Sequence, residues 1–398
     1  MTNLADRTHV IKPSVTLAIA AKAQRLKSQG VDIVNFSAGE PDFDTPEHIK
    51  AAAVEAMRKG MTKYTDVKGI EPLREAIAQK YQNEYGLSYR KDEILVSCGA
   101  KHSLYNLFQA LVNPGDEVLI VAPYWGSYSD MALLAGGVPK IIQTDEATGF
   151  RVTAEQLAAA LGKRTRVFVL NSPCNPTGAV YDRDELHVIA QVLEKHDCLI
   201  FADDIYEKIV YDGLRMHNIV ALNPALRDRT LIINGVSKTY AMTGWRIGYA
   251  LGSADVIAAA GKIQSQSTSN ATSIAQAAAL EAVVGPQDEV TSMVREFHKR
   301  RDVVIARLTA IEGIHCIKPQ GAFYVFPNIS LALGKSVNGK PLESPCDVAD
   351  YLLEEAKVAL VPGEDFGSRE HVRLSYATSL ADIEKGCERI QLAFSKLH

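Results

Sequence analysis

The sequence has no Cys-x-x-Cys pair, no excess of one charge sign, no internal repeat and no apolar stretch of about 18 residues, and each absence removes a class of function. Six cysteines, at 98, 174, 198, 316, 346 and 387, show no regular spacing along 398 residues, so they read as reduced packing thiols, not as a disulfide framework. Cys174 stands beside Asn175, and a small buried hydrophobe is the simpler reading of it. A net charge of −4 leaves no basic field for nucleic acid and no charged tail. Met1-Thr-Asn-Leu-Ala-Asp-Arg7 lacks the basic-then-apolar pattern of a secretion signal, and nothing can span a membrane as a helix, so a cytoplasmic protein is expected. No histidine pair has ligand spacing with a carboxylate, so no metal is assigned. No strand is followed by Gly-x-Gly-x-x-Gly, which argues against a nicotinamide dehydrogenase.

What is present is a globular composition, 47% hydrophobic and 23% charged, in a chain long enough for two domains. Its most informative stretch is Asn234 to Tyr249. Thr230-Leu-Ile-Ile-Asn-Gly-Val236 reads as a buried strand that delivers Lys238 to a strand's carboxyl end, where open α/β sheets bind ligands. Arg246 follows eight residues later. A lysine can condense with a carbonyl, and an arginine suits a phosphate bidentately, so the pair can hold both ends of an aldehyde-bearing phosphorylated cofactor such as pyridoxal 5'-phosphate.

Other strand ends carry chemistry too. Glu93 to Cys98 runs into Gly99-Ala100-Lys101 and a helix from Ser103 to Leu111, so free N–H groups at a helix start form an anion site. Asp116 to Val121 ends at Pro123-Tyr-Trp125, which sets a flat ring at the same sheet edge. Arg166 to Asn171 leads to Asn175-Pro-Thr-Gly178, whose prolines restrict a side-chain amide. Cys198 to Ala202 emerges at Asp203-Asp204-Ile-Tyr206, where a buried carboxylate needs a cationic partner; either acid qualifies on this ground.

Taken together, Ser237-Lys-Thr-Tyr-Ala-Met-Thr-Gly-Trp-Arg-Ile-Gly-Tyr249, Asn175-Pro-Thr-Gly178 and Asp203-Asp-Ile-Tyr206 resemble the fold-type I, class I aminotransferases, specifically the prokaryotic aspartate aminotransferase branch. The resemblance implies an α/β fold: a large domain (46–287) with a mostly parallel seven-stranded sheet flanked by helices, and a smaller α+β domain (288–398), with 1–45 as an N-terminal arm that also joins the small domain. It implies that Lys238 bears the cofactor and moves the Cα proton, and that Asp203, not Asp204, meets the ring nitrogen. Tyr206 and Asn175 then meet the phenolic oxygen, and Trp125 the ring face. Gly99, Ala100, Lys101 and Arg246 anchor the phosphate, together with Tyr64 from a neighbouring subunit, which requires a homodimer with shared sites. The Gly39 main chain and Arg373 receive the substrate α-carboxylate, with Asn175 and Trp125 also at the substrate. The activity implied is transamination between L-aspartate and 2-oxoglutarate, with prephenate as a further substrate. On reach, Lys101 is expected at the side-chain carboxylate of aspartate and Lys12, in the arm, at the ring carboxylate of prephenate.

The alternatives are an aminotransferase of aromatic or neutral amino acids, a lyase, decarboxylase or cyclopropane-forming synthase on the same fold, and a regulator's ligand-sensing module. The last needs a DNA-binding extension ahead of the fold, and none is expected here. The remaining pattern predicts a helix opening at Lys12 to Thr16, a strand over 31–36 and a turn at Ser37 to Asp42. Thr45 should cap a helix running to Lys59, another helix follows Gly69, and 253–285 is helical with a polar interruption at 264–270. A long amphipathic helix spans Asp288 to Ile311. Beyond it lie strands over 321–326, 358–361 and 371–377, the last with Arg373 and Ser375 on one face, and a helix over 348–356.

Overall fold

The computed structural model describes residues 4–337 and 339–398, so the first three residues of the expected arm lie outside the described residues. Its centre is a sheet of seven strands: β1 (Ile94–Ser97), β2 (Glu117–Ala122), β3 (Val138–Gln143), β4 (Thr165–Asn171), β5 (Leu199–Asp203), β6 (Thr230–Gly235) and β7 (Gly248–Leu251). They lie in the order β1-β7-β6-β5-β4-β2-β3, with β7 antiparallel to both neighbours and every other adjacent pair parallel. Every residue of β5 and β6 is buried, which is why their stretches Leu199–Ala202 and Leu231–Ile233 read as unbroken apolar runs. Period two divides the sheet between two cores. Phe168, Leu170 and Ile200 face helices Glu71–Tyr85, Arg183–Glu194 and Ser273–Val284, while Val167, Val169 and Phe201 face helices Ala100–Leu111 and Ala254–Ser267.

Two strands are not evident in the sequence. β3 carries Pro139 and Lys140, which a sheet tolerates at its edge, where β3 lies. β7 is only four residues long and begins two residues after Arg246. The helix after β1 starts at Ala100, earlier than Ser103, so Gly99 is its N-cap. Helix Glu47–Arg58 has no side-chain cap: Thr45 Oγ1 instead donates to Ala241 O at 2.7 Å and accepts from Trp245 Nε1 at 2.9 Å. The region 253–285 forms two helices, Ala254–Ser267 and Ser273–Val284, parted between 267 and 273.

The C-terminal elements build a second sheet and core. Val372–Ser375 lies between Val361–Pro362 and Tyr324–Val325, all antiparallel. The expected strand over 358–361 is two short ones in different sheets, because Val358–Ala359 pairs in parallel with Val34–Asn35. The helix expected over 348–356 is α-helical at Pro345–Tyr351 and continues as a π turn over Leu352–Ala356. Phe36, Phe297, Leu374 and Ile383 share this core. All six thiols are free; Cys346 is exposed and is no packing residue. Among the described residues no helix is long and apolar enough to cross a membrane, and no group of three or more His, Cys, Asp or Glu could hold a metal.

Candidate active site

A cavity of about 550 Å³ opens at the carboxyl ends of β4, β5 and β6, and its other wall comes from residues 35–40 and the second sheet. This is the ligand position expected of an open, largely parallel sheet. One end is an anion cradle. Gly99 adopts φ +90°, and a Cβ there would lie 2.5 Å from Arg246 Nη2. A Cβ on Gly248 would lie 2.1 Å from the Ala100 nitrogen. Both glycines therefore let Arg246, itself left-handed at φ +55°, lie over the start of helix Ala100–Leu111. Its guanidinium donates to Thr243 O at 2.8 Å and to Cys98 O at 3.5 Å. Lys101 Nζ sits 4.6 Å from the centroid of the Trp125 ring, and burial, then Arg246, lower its pKa.

At the floor, β5 ends in Asp203, which is 3% exposed. Its Oδ2 accepts from the Tyr128 hydroxyl at 2.6 Å and its Oδ1 from the Ile205 N–H at 3.2 Å. Burial pushes this carboxyl up to about 6, against the pull of those two bonds. Asp204 faces away, accepting from Asn218 Nδ2 at 3.0 Å, so of the two acids only Asp203 lines the cavity. Lys238, two residues beyond Val236, donates from Nζ to Gly39 O. Burial depresses its amine to about 8; Glu40 opposes this, and Arg373 and Arg246 add to it. The Tyr206 hydroxyl meets that of Tyr324 at 2.8 Å.

The far wall is Arg373, only 2% exposed. Nη1 donates to Asn175 Oδ1 at 3.0 Å, Nη2 to Ser37 O at 2.9 Å, and Nε has no partner. Tyr324 and Phe366 rings lie 4.5 and 4.9 Å from its guanidinium carbon. Among the described residues no carboxylate lies within 4.0 Å of it. The Arg373 bond also orients Asn175: with Oδ1 engaged, its amide N–H groups are left for the cavity.

The cavity thus gathers Gly39, Ala100, Lys101, Trp125, Asn175, Asp203, Tyr206, Lys238, Arg246 and Arg373. Tyr64, 91% exposed, and Lys12, also exposed, stand outside it. Sequence reasoning missed Tyr128, Tyr324 and Asn171. Tyr128 lies three residues after Trp125, on the turn that opens helix Ser127–Leu134, and that spacing was the only local sign of it. Leu17 and Ala20 of helix Val15–Ser28 also reach the cavity.

The aminotransferase class I and II family profile matches residues 31–390. The chain is 48% identical to an aspartate aminotransferase of Geobacillus stearothermophilus, over 97% of this chain and 98% of that one. It is 49% identical to an aspartate/prephenate aminotransferase of Cereibacter sphaeroides, with 98% of each covered. Among solved structures it superposes on the aspartate aminotransferase of Rhizobium meliloti with a TM-score of 0.96, 47% identity and all of both chains covered. On the Thermus thermophilus aspartate aminotransferase with maleate the TM-score is 0.92 and the identity 43%, covering 99% of this chain and 100% of the other. With a family match across most of its length and relatives this similar end to end, the chain belongs to the class I and II aminotransferases.

Proposed function

We propose that the protein is an aspartate aminotransferase: it moves the amino group of L-aspartate to 2-oxoglutarate, giving oxaloacetate and L-glutamate, and also serves prephenate. The observation that carries the reading is one cavity holding a low-pKa lysine, Lys238, between an anion cradle at Arg246 and a buried guanidinium with an unpaired N–H, Arg373. The relatives named for aspartate and for aspartate/prephenate support the substrates.

The residues present fit pyridoxal 5'-phosphate. The glycine-shaped cradle at Gly99, Ala100 and Arg246 suits its phosphate, and Asp203, buried and held by Tyr128, suits a protonated ring nitrogen. Bound there, the cofactor supplies an aldehyde for the amino group and an electron sink for the charge left at Cα. Lys238 Nζ, near 8, is a sufficient base at neutral pH to take the Cα proton and would pass it to the carbon that carried the cofactor's aldehyde, the shift that amino transfer needs. Tyr206 and the Asn175 amide donate to the phenolic oxygen, Trp125 covers the ring, and Lys101 assists at the phosphate and at the substrate's side-chain carboxylate. Arg373, with the Gly39 main chain, takes the α-carboxylate and closes that end to water. Tyr64, exposed on its own subunit, reaches the phosphate of a second copy, so the working unit is a homodimer with shared sites. Residues 46–287 form the large domain and 288–398 the small one, with 1–45 as an arm that joins the latter; the core shared by Phe36 and Leu374 supports the joining of the arm, and Ile205 and Tyr211 of the large domain pack in it as well. The protein works in the cytoplasm.

The test is oxaloacetate formation by the cofactor-loaded protein from aspartate and 2-oxoglutarate. Turnover is expected to fall by at least 10²–10⁴-fold in Lys238→Ala. Near-normal turnover of that variant would remove Lys238 from the chemistry. Faster transfer from phenylalanine than from aspartate would overturn the substrate, and product formed beyond one equivalent per site without any 2-oxo acid would point to a lyase.

A further inference from the structure

Tyr64 is exposed, yet the chain just after it is firmly held. Gln276, fully buried in helix Ser273–Val284, spends its whole amide there. Its Oε1 accepts from the Ile70 N–H at 2.7 Å, and its Nε2 donates to Thr65 Oγ1 at 3.1 Å and to Ala271 O at 2.7 Å. Gln264, equally buried in helix Ala254–Ser267, donates to Val67 O at 2.7 Å and to Val96 O at 2.8 Å, and accepts from Asn106 Nδ2 at 3.0 Å. Between these bonds Lys68 O accepts from the Val96 N–H at 2.9 Å. Gly69, at φ +99°, lies so close that a Cβ would sit 2.6 Å from that of Val96. Residues 65–70 are therefore sewn to the edge strand β1, with Tyr64 projecting from their start.

Fully buried glutamines are uncommon, and an apolar side chain of similar volume would fill the same space with less desolvation. What two satisfied amides supply and an apolar residue does not is a fixed geometry for the backbone they hold. We propose that Gln276 and Gln264 are positioning residues for Tyr64: they fix loop 65–70 so that its phenol is presented, already ordered, to the cofactor phosphate bound by a second copy of the chain. This rests on the role of Tyr64 given above. A loop ordered beforehand loses less freedom when its phenol engages the phosphate. Gln264 adds a link, because the amide that holds Val67 also holds Val96 and Asn106, the latter on the helix whose N-terminus is this chain's own anion cradle.

Such a role acts in trans, and that separates it from local packing. In holoenzyme homodimers, Gln276→Leu and the milder Thr65→Val, which removes only the loop-side hydroxyl, should weaken retention of pyridoxal phosphate in equilibrium dialysis. The expected loss is that of Tyr64→Phe for Gln276→Leu, roughly tenfold to a hundredfold, and less for Thr65→Val. Combining Tyr64→Phe with Gln276→Leu should add nothing. In a heterodimer of Gln276→Leu with Lys238→Ala, the one site that keeps Lys238 receives its Tyr64 from the subunit with an intact loop. It should therefore hold the cofactor as wild type does, read by borohydride reduction and mass spectrometry of lysine-bound cofactor. Weak retention there, or multiplied losses in the double variant, overturns the proposal. If Tyr64→Phe weakens retention while none of Gln276→Leu, Gln264→Leu and Thr65→Val does, Tyr64 keeps its role and the glutamines lose theirs. If Tyr64→Phe holds the cofactor normally, both readings fall. Should Gln276→Leu not fold, Thr65→Val carries the same heterodimer comparison.

Discussion

Arg246 and Arg373 stand at the two ends of one cavity and are held in opposite ways. Arg246 is exposed, its charge relieved by solvent, and backbone carbonyls steer it over a helix N-terminus. Arg373 is buried among a neutral amide, a carbonyl and two aromatic faces, with one N–H unpaired. A buried cation hydrogen-bonded only to neutral groups is costly, and of the carboxylates only Asp365 favours its charge, without forming an ion pair with it. The difference separates retention from discrimination. On the proposed roles, an exposed arginine backed by amides would hold an anion that stays, whereas a buried one with an open N–H would reward each carboxylate that arrives.

Truncating each arginine should break the comparison in a crossed pattern. Arg373→Leu removes one partner of a buried charge pair, so kcat/KM for amino and oxo acids should fall by about 2–5 kcal/mol, or roughly thirtyfold to several thousandfold, with cofactor retention unchanged. Arg246→Leu should do the reverse, weakening cofactor retention by about 1.5–3 kcal/mol with little effect on the KM of substrate. Dialysis and steady-state kinetics on both variants decide it. Equal losses of both properties in both variants would mean that the two ends are not distinct.

Between the arginines, Asp203 sharpens the comparison as the cavity's buried anion. Its carboxyl stands near 6 in the folded, cofactor-free protein, against 3.8 ordinarily. From about pH 4 to 6 the folded state therefore keeps a proton that the unfolded chain has released. Its contribution to stability falls as pH rises through that window, by about 3 kcal/mol in all. Asp203→Asn should abolish this component, and a cationic ring nitrogen should offset it in the loaded protein. Urea midpoints of wild type and Asp203→Asn at pH 4 and pH 7 measure it. An identical pH dependence in the two proteins would assign the titration elsewhere.

How much of this was legible in the sequence depends on separation along the chain. Lys238, Asp203 and Asn175 stand at or within a few residues of the ends of apolar strands, and Arg246 shares the loop after β6 with Lys238, so strand periodicity and side-chain chemistry located them together. The bonds that tune them span far greater distances: Tyr128 and Asp203 are 75 residues apart, Tyr206 and Tyr324 are 118, and Ser37 and Arg373 are 336. No local pattern encodes such pairs. The same holds for Thr45, whose Ser/Thr-Pro context signals a helix cap but whose hydroxyl is claimed by Ala241 and Trp245 of the lysine loop. Burial hid β3 in the opposite sense: an edge strand with alternate residues in solvent lacks the apolar run that marked β5 and β6.

The smallest effects belong to the two lysines assigned to second carboxylates, and here the structure separates them. Lys101 lines the cavity, its amine over the Trp125 ring and partly desolvated; Lys12 is exposed and outside it. Both bear on the same acid, Asp130, whose carboxyl is raised by burial and by Asp365 and drawn back by Lys101 and Lys12. A charge-assisted contact inside a closed site is worth about 1.5–3 kcal/mol, and Lys101→Ala should cost aspartate roughly 10–150-fold in kcat/KM while sparing phenylalanine. An exposed charge contributes about 0.2–1 kcal/mol, so Lys12→Ala should cost prephenate no more than about fivefold and aspartate less. Salt separates the two further, because screening acts over about 8 Å in solvent at physiological ionic strength and should erase the Lys12 effect before that of Lys101. The measurement is kcat/KM for aspartate, prephenate and phenylalanine with each variant at low and high salt. Uniform losses across all three substrates would assign both lysines to the cofactor or the fold, and a larger prephenate loss in Lys101→Ala than in Lys12→Ala would move the ring carboxylate from the arm into the cavity.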